Sequence, residues 1–283
     1  METHKLAVCA EAPHHVTAFF IPHRSENPVE AGSMGAGIAV YPPARACAGL
    51  GRGYVPWGTV ERSLRSLGWQ GEPVAVYEPL PVGAGFATSA ATATAAALAY
   101  AAWKGFPLSR AFEAAHVADV VRLTGLGDVL AISCGIGIVY RVSPGAPGRG
   151  SVDCIPLWGV SLIGVVAGRA PTETIIVDAE RARSLGENLM KWFLDEPGLE
   201  RLLEAGYRFA KETGSREVLG MVEEALSGVK GVIGFYAKKR VAVIVAEEDR
   251  AGDVLHSLDE AGLEARILEP SPGPPRITRV GSW

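Results

Sequence analysis

The chain has 283 residues, 48% of them hydrophobic and 20% charged, with 27 basic side chains against 31 acidic ones and a formal charge of −4. That is enough apolar material for a sizeable core, in one large domain or two modest ones. The charge balance excludes a nucleic-acid steering field.

The start, METHKLAVCAEAPHH, has no basic segment followed by an apolar one, so no signal peptide is read there. The four cysteines (Cys9, Cys47, Cys134 and Cys154) are widely spaced and form no CxxC pair. They point to neither a disulfide scaffold nor a zinc site, and a reducing, cytoplasmic setting is the simplest reading. KLAVCA (5–10) and VTAFFI (16–21) read as strands, followed by the turn-rich insert PHRSENPVEAGSMGAG. GIAVY (37–41) and PVAVYE (73–78) are further strands. A loop and helix span 79–103, and a second helix runs from about Ser109 to Leu123 after the start signals Pro107 and Ser109. VLAISC and GIVYRV (129–142) read as a hairpin, and SPGAPGRGS (143–151) as a surface loop.

The second half has a different texture. GVSLIGVV (159–166) is a strand, amphipathic helices follow at about 178–194, 198–213 and 216–226, and VIGFYA and VAVIVA (232–246) are strands. The run Lys238-Lys239-Arg240 between them reads as a turn on a solvated edge. A helix at 250–261 leads to the strand EARILEP, and the tail PSPGPPRITRVGSW reads as extended. Strands and helices mixed in this order predict an α+β layer architecture, with a boundary near 155–170.

The stretch PLPVGAGFATSAATATAAALAYAAW (79–103) carries no charge and is long enough to cross a bilayer. Its content opposes insertion, because glycine, alanine, serine and threonine supply little apolar area. Two readings remain. One is a packed helix with a flexible entry. The other is a phosphate loop: glycines two apart allow inward-pointing amides, and Thr88 or Ser89 caps a helix whose free amides and dipole attract anions. It is neither a Walker A loop, since it has no lysine, nor a Rossmann fingerprint, since Thr88 stands at the third glycine.

In the second helix, Phe112, His116, Asp119 and Leu123 fall within about 60° at 100° per residue. Asp119 thus lies on an inward stripe, which is costly unless the carboxylate is paired or metal-bound, with His116 a candidate partner. Asp128 follows TGLG at what reads as a loop-to-strand junction. Phosphoryl transfer to an alcohol needs amides around the phosphates, Mg2+ ligands and a carboxylate near the acceptor hydroxyl. The glycine loop with Ser89, Asp119 and Asp128 would supply these.

PLPVGAGFATSAA resembles the central motif of the GHMP kinase superfamily. APHHVTAFFIP (12–22), ENPVEAGSMGAG (26–37), AAHVADVVRLTGLGDVLAISCG (114–135) and PGAPG (144–148) are similar to segments of its archaeal pantoate kinase branch. The resemblance implies ATP and Mg2+ as cofactors. It implies an N-terminal domain (1–158) like the second domain of ribosomal protein S5, a ferredoxin-like C-terminal domain (159–283) and a homodimer. Carried over residue by residue, Gly83, Ala84, Gly85, Phe86, Ala87, Thr88 and Ser89 would wrap the phosphates. Ser89 and Asp119 would hold Mg2+, and Asp128 would orient the acceptor hydroxyl. The sequence departs at Thr88, Ala87, Asp119 (usually Glu) and His14 (usually Gly). The family's third, glycine-rich motif is weak, with KGVIGFYA (230–237) its best candidate.

The implied substrate is pantoate, a small hydroxy acid phosphorylated on its 4-hydroxyl on the route to coenzyme A. His15, Thr17, Arg24 and Ser33 are candidates to face it. The alternatives are a kinase of the same type for another small alcohol, such as an isoprenoid acid or homoserine, and a non-catalytic nucleotide-binding relative. No nucleic-acid or membrane partner is expected.

Overall fold

Two long antiparallel strands, β1 (Val8–His23) and β2 (Gly32–Ala48), organise the chain. The structure is a computed structural model that describes residues 6–50, 55, 58–167 and 179–279. β1 runs unbroken through both segments read as separate strands, bending at register shifts between Ala12 and His14 and between Thr17 and Phe19. Such bulges increase local twist and re-aim side chains.

The free edge of β2 takes three partners in turn. β4 (Ile138–Ser143) pairs along Gly35–Ile38, β9 (Glu264–Pro270) pairs at Val40 and Tyr41, and β3 (Val74–Tyr77) pairs along Arg45–Ala48. β5 (Ser151–Ile155) extends β4, and β10 (Arg276–Arg279) returns from the far end of the chain to pair with Val8–Glu11. This curled N-terminal sheet carries α1 (Thr59–Ser66), α2 (Thr88–Lys104), α3 (Leu108–Val121) and α4 (Asp128–Cys134).

The second layer comprises β6 (Val160–Val166), β7 (Val232–Lys238), β8 (Val241–Glu247) and β9, in the order β9-β6-β8-β7 with every pair antiparallel. In chain order that is 4-1-3-2, the split βαβ arrangement of ferredoxin-like domains. α5 (Ala179–Asp195), α6 (Leu199–Glu212), α7 (Arg216–Ala225) and α8 (Ala251–Glu260) complete it. β9 pairs with both β2 and β6, so one sheet runs through both layers. Phe19, Ile38 and Val40 share a core with Phe193, Tyr236, Val243 and Leu268.

α2 is buried over most of its length, with Leu98, Tyr100 and the alanines sunk among α1, α3 and the first two strands. Alanine permits this because it has high helix propensity and a thin side chain. Gly105, left-handed at φ 80°, ends the helix, with the Phe106 amide donating back to the Ala101 carbonyl at 2.8 Å. Among the described residues no helix is long and apolar enough to cross a membrane.

Several expectations are corrected. VLAISC is helix α4, not a strand, and the hairpin is β4–β5. A short apolar run suits either state, and here Val129, Leu130, Ala131 and Ile132 are all buried. Leu123 lies beyond the end of α3 and is 63% exposed, so it leaves the inward stripe. The cysteines pair, Cys9 with Cys47 and Cys134 with Cys154. Sequence spacing concealed this: the β1–β2 register sets Cys9 opposite Cys47, and the α4-to-β5 packing brings the other two together.

Candidate active site

The glycine loop ends at Ala87, whose backbone is left-handed (φ 55°), a rare conformation for a residue with a Cβ. Ala87, not Thr88 or Ser89, is the N-cap, and no side chain caps the helix. The Thr88 hydroxyl instead donates to the Pro81 carbonyl at 3.3 Å, and Ser89 lies half-buried in the first turn. The first amides of α2 are therefore left to a ligand or water.

The loop is held from two sides. The His15 amide donates to the Phe86 carbonyl at 3.2 Å, and the Arg240 amide to the Ala84 carbonyl at 3.1 Å. Gly83 (φ 83°) is exposed, whereas Gly85 (φ 133°) is buried against the β7–β8 turn, where a Cβ would meet the Lys238 carbonyl oxygen at 2.6 Å. Ala84 and Phe86 are fully buried beneath the loop.

The two aspartates converge. Asp119, on the last turns of α3, accepts a hydrogen bond from the Thr124 hydroxyl at 2.6 Å through Oδ1, while its buried Oδ2 has no partner. Asp128 opens α4 rather than a strand. At its Oδ1 stand His15 Nδ1 (3.2 Å), the Thr17 hydroxyl (3.4 Å), Arg141 Nη1 (3.8 Å) and Lys238 Nζ (4.0 Å). Gly125 makes room for both carboxylates: a Cβ there would overlap Asp119 Oδ2 and lie 2.8 Å from Asp128 Oδ2.

The carboxylates are driven apart electrostatically. Burial raises both, but around Asp128 the cations Lys238 and Arg141 and the His15 hydrogen bond outweigh it and hold that group well below the usual carboxylate range. Burial, reinforced by the neighbouring Asp128 charge, pushes Asp119 up to about 7. His15, fully buried, falls to about 4 and is neutral, so with Asp128 ionised its Nδ1 carries the proton and donates. Gly37 lets that ring lie on β2, since a Cβ there would be 2.6 Å from His15 Nε2.

The remaining candidates separate. Ser33 is buried, and a Cβ at Gly127 would be 2.9 Å from its hydroxyl and 3.3 Å from Arg141 Nη1. Arg24 is exposed past the end of β1 and is not among the groups facing Asp128. His116 accompanies Ala31, not Asp119: its Nε2 donates to that carbonyl at 2.9 Å and tethers the insert.

Two residues that sequence reasoning passed over belong here. Arg141 on β4 is 1% exposed, and its Nε and Nη2 have no partner. Its signal was a lone charge in the otherwise apolar GIVYRV. Lys238, read as part of a solvated turn, faces inward, and burial draws it down to about 8. Gly231 and Gly234, in the weak third-motif candidate, lie against Arg250 and Leu203.

The oxygen donors fit a hard divalent cation. The orphaned Asp119 Oδ2 and the space both carboxylates share at Gly125 match Mg2+, which takes one or two carboxylates and completes its shell with water and substrate phosphates. Among the described residues no three His, Cys, Asp or Glu side chains converge on a metal position, so water and phosphate oxygens would complete the shell.

Comparisons with known proteins bear on the family and the fold. Residues 55–136 match the family described as the GHMP kinases N terminal domain. The pantoate kinase of Thermococcus kodakarensis is 31% identical over 238 residues, covering 74% of this chain and 77% of that protein. The pantoate kinase of Methanocaldococcus jannaschii is 27% identical over 230 residues, covering 75% and 84%. A solved structure described as a phosphotransferase related to the coenzyme A biosynthesis pathway superposes with a TM-score of 0.85 at 25% identity, covering 97% of this chain and 99% of that one. Homoserine kinase from Cytophaga hutchinsonii shares the fold at a TM-score of 0.67 and 15% identity, covering 98% and 99%. The chain therefore belongs to the GHMP kinase superfamily, as an ATP-dependent small-molecule kinase related to pantoate kinase.

Proposed function

We propose that the chain transfers the γ-phosphoryl group of ATP to the 4-hydroxyl of pantoate, forming 4-phosphopantoate for coenzyme A synthesis. The observation that carries this reading is Arg141, a buried guanidinium with two unpartnered nitrogens beside Asp128. Buried guanidinium N–H groups left without acceptors are costly, and a carboxylate is their natural complement. A hydroxy acid with its carboxylate on Arg141 and near Ser33 would present its hydroxyl to Asp128. The curated relatives that bear the name pantoate kinase support the same acceptor.

In this reading residues 1–158 form the ATP-binding domain and 159–283 the second domain. The amides of Gly83 to Ser89 bind the phosphates. Ser89 and Asp119 would hold Mg2+, whose charge, when bound, offsets that of the phosphates. Asp128 is too acidic to be a strong base, so it orients the hydroxyl and takes its proton late in the transfer. His15 and Thr17 hold Asp128 in place. A homodimer belongs to the same proposal, and so does a cytoplasmic setting, which rests on the kinase reading and not on cysteine usage, since all four cysteines are paired.

The test is ADP release from Mg2+–ATP with pantoate, homoserine, mevalonate and pantothenate as acceptors. Turnover is expected with pantoate, and strong turnover with another acceptor but none with pantoate overturns the assignment. Nucleotide binding without turnover on any of them would favour a non-catalytic relative.

A further inference from the structure

The turn Lys238-Lys239-Arg240 enters the mechanism above only through its support of Asp128 and of the glycine loop, yet it closes one side of the site. Alternation along β7 puts Lys238 on the same face as Tyr236. The Tyr236 hydroxyl donates to the Val16 carbonyl at 2.7 Å, so that face looks onto β1. The Lys238 ammonium stands 5.8 Å from the centroid of the Phe20 ring and 4.0 Å from Asp128 Oδ1, and its side chain is 21% exposed.

The turn is built to hold this position. The Arg240 amide binds the Ala84 carbonyl, Nε donates to the Ala167 carbonyl at 2.6 Å, and Nη1 donates to Glu217 at 2.8 Å. Lys239 takes the left-handed conformation at φ 57° without being glycine. The Lys238 carbonyl sits on Gly85. Turn and glycine loop thus form one unit.

A purely structural pairing with Asp128 does not account for Lys238. Four ångströms is too long for a hydrogen bond, and Asp128 already accepts from His15 and Thr17. The two cations also reach Asp128 from different elements: Arg141 Nη1 and Ser33 flank Gly127, whereas Lys238 comes from a turn whose backbone carbonyl at 238 lies on Gly85 of the phosphate loop. A side chain that reaches Asp128 from a turn packed on the phosphate loop is placed for a phosphoryl group between them, for which a compact ammonium is suited.

We propose that Lys238 is a further catalytic residue, its ammonium contacting the transferring phosphoryl group between the Gly83–Ser89 loop and Asp128. This rests on the kinase reading of the site but not on the identity of the acceptor. In the step, the acceptor oxygen forms a bond to the γ-phosphorus. The bond from that phosphorus to the bridging oxygen breaks, and its electron pair leaves with ADP. The hydroxyl proton passes to Asp128 and then to water. Lys238 stays protonated throughout and offsets charge on the transferring oxygens.

The test compares Lys238→Met and Lys238→Arg with the wild type. Calorimetry with Mg2+ and AMP, ADP or a non-hydrolysable ATP analogue needs no acceptor. Lys238→Met is expected to weaken the ATP analogue about tenfold or more while AMP stays within about threefold, and to lower kcat about 100-fold with little change in acceptor KM. Lys238→Arg should recover part of both losses. If Lys238→Met fails to fold, the wild type still decides: the ATP analogue, but not AMP, should protect Lys238 from an amine-reactive label read by mass spectrometry. Unchanged analogue affinity, equal protection by AMP, or a rise in acceptor KM at constant kcat would overturn the proposal. Wild-type turnover with no tested acceptor would count against the substrate reading alone, because the binding and labelling arms still report on Lys238.

Discussion

Asp119 and Asp128 point their Oδ2 atoms at the same side of Gly125, where there is no side chain. One carboxylate is pushed towards neutrality and the other held ionised, so nine positions of sequence separate groups with opposite tasks.

Gly125 does not occupy a left-handed conformation, so an alanine there acts through space and not through backbone strain. Gly125→Ala is expected to push the carboxylates apart and lower kcat by about tenfold or more, since small misplacements at a reacting centre are expensive. The overpacking should destabilise the fold by about 1–3 kcal/mol. Steady-state kinetics and a thermal melt check both, and normal kcat would show that the shared space is not used.

Asp128→Asn preserves shape and removes charge. Turnover is expected to fall by about 10²–10⁴-fold, the range for loss of a positioned acid or base. Nucleotide affinity should be kept or rise, because Lys238 and Arg141 lose their counter-charge. Unchanged turnover would mean that Asp128 does not serve the acceptor.

For Arg141→Met, function should suffer more than stability. The substitution removes a buried, partly unsatisfied guanidinium, and Asp128 keeps Lys238, His15 and Thr17 at its Oδ1, so the loss of the 3.8 Å pairing with Arg141 is only partly felt in the fold. The acceptor KM should nevertheless rise by about tenfold or more, as a charged hydrogen bond is worth about 1.5–3 kcal/mol. A variant with lower thermal stability and unchanged acceptor KM would make Arg141 a structural residue.

His14 is fully buried, both ring nitrogens lack partners, and burial lowers it to about 3. The unfolded chain therefore takes up a proton near pH 6.5 that the folded chain refuses until about pH 3. Stability contributed by the neutral ring is complete above pH 6.5 and is lost as pH falls through that window, at roughly 1 kcal/mol per pH unit. His14→Leu should flatten the acid limb of stability measured by urea melts between pH 6.5 and 4. An unaltered slope would show that His14 is not held neutral.

The elements legible in the sequence were those with a strong local signal. β-branched runs gave β3, β6 and β8, and the uncharged alanine run gave α2. Asp119 and Asp128 stood out because a carboxylate on an apolar stripe and one after TGLG are locally odd. What was missed depends on tertiary geometry. Arg141 and Lys238 look like ordinary strand and turn charges until β4 and β7 are set against α4 and β1. Thr88 is a good cap by composition, but the loop's path puts Ala87 in that position and sends the Thr88 hydroxyl to Pro81. Cysteine pairing likewise followed from register, which no spacing rule contains.

β10 pairs with residues 8–11, so a strand made early waits for one made more than 260 residues later. While the chain emerges from the ribosome, that stretch of β1 has an open edge, available to any other extended chain. Closing it requires contact across nearly the whole described length, a slow step in folding. A tag or truncation that disturbs 276–279 would thus be felt first as aggregation during expression, well before any effect on the phosphate loop.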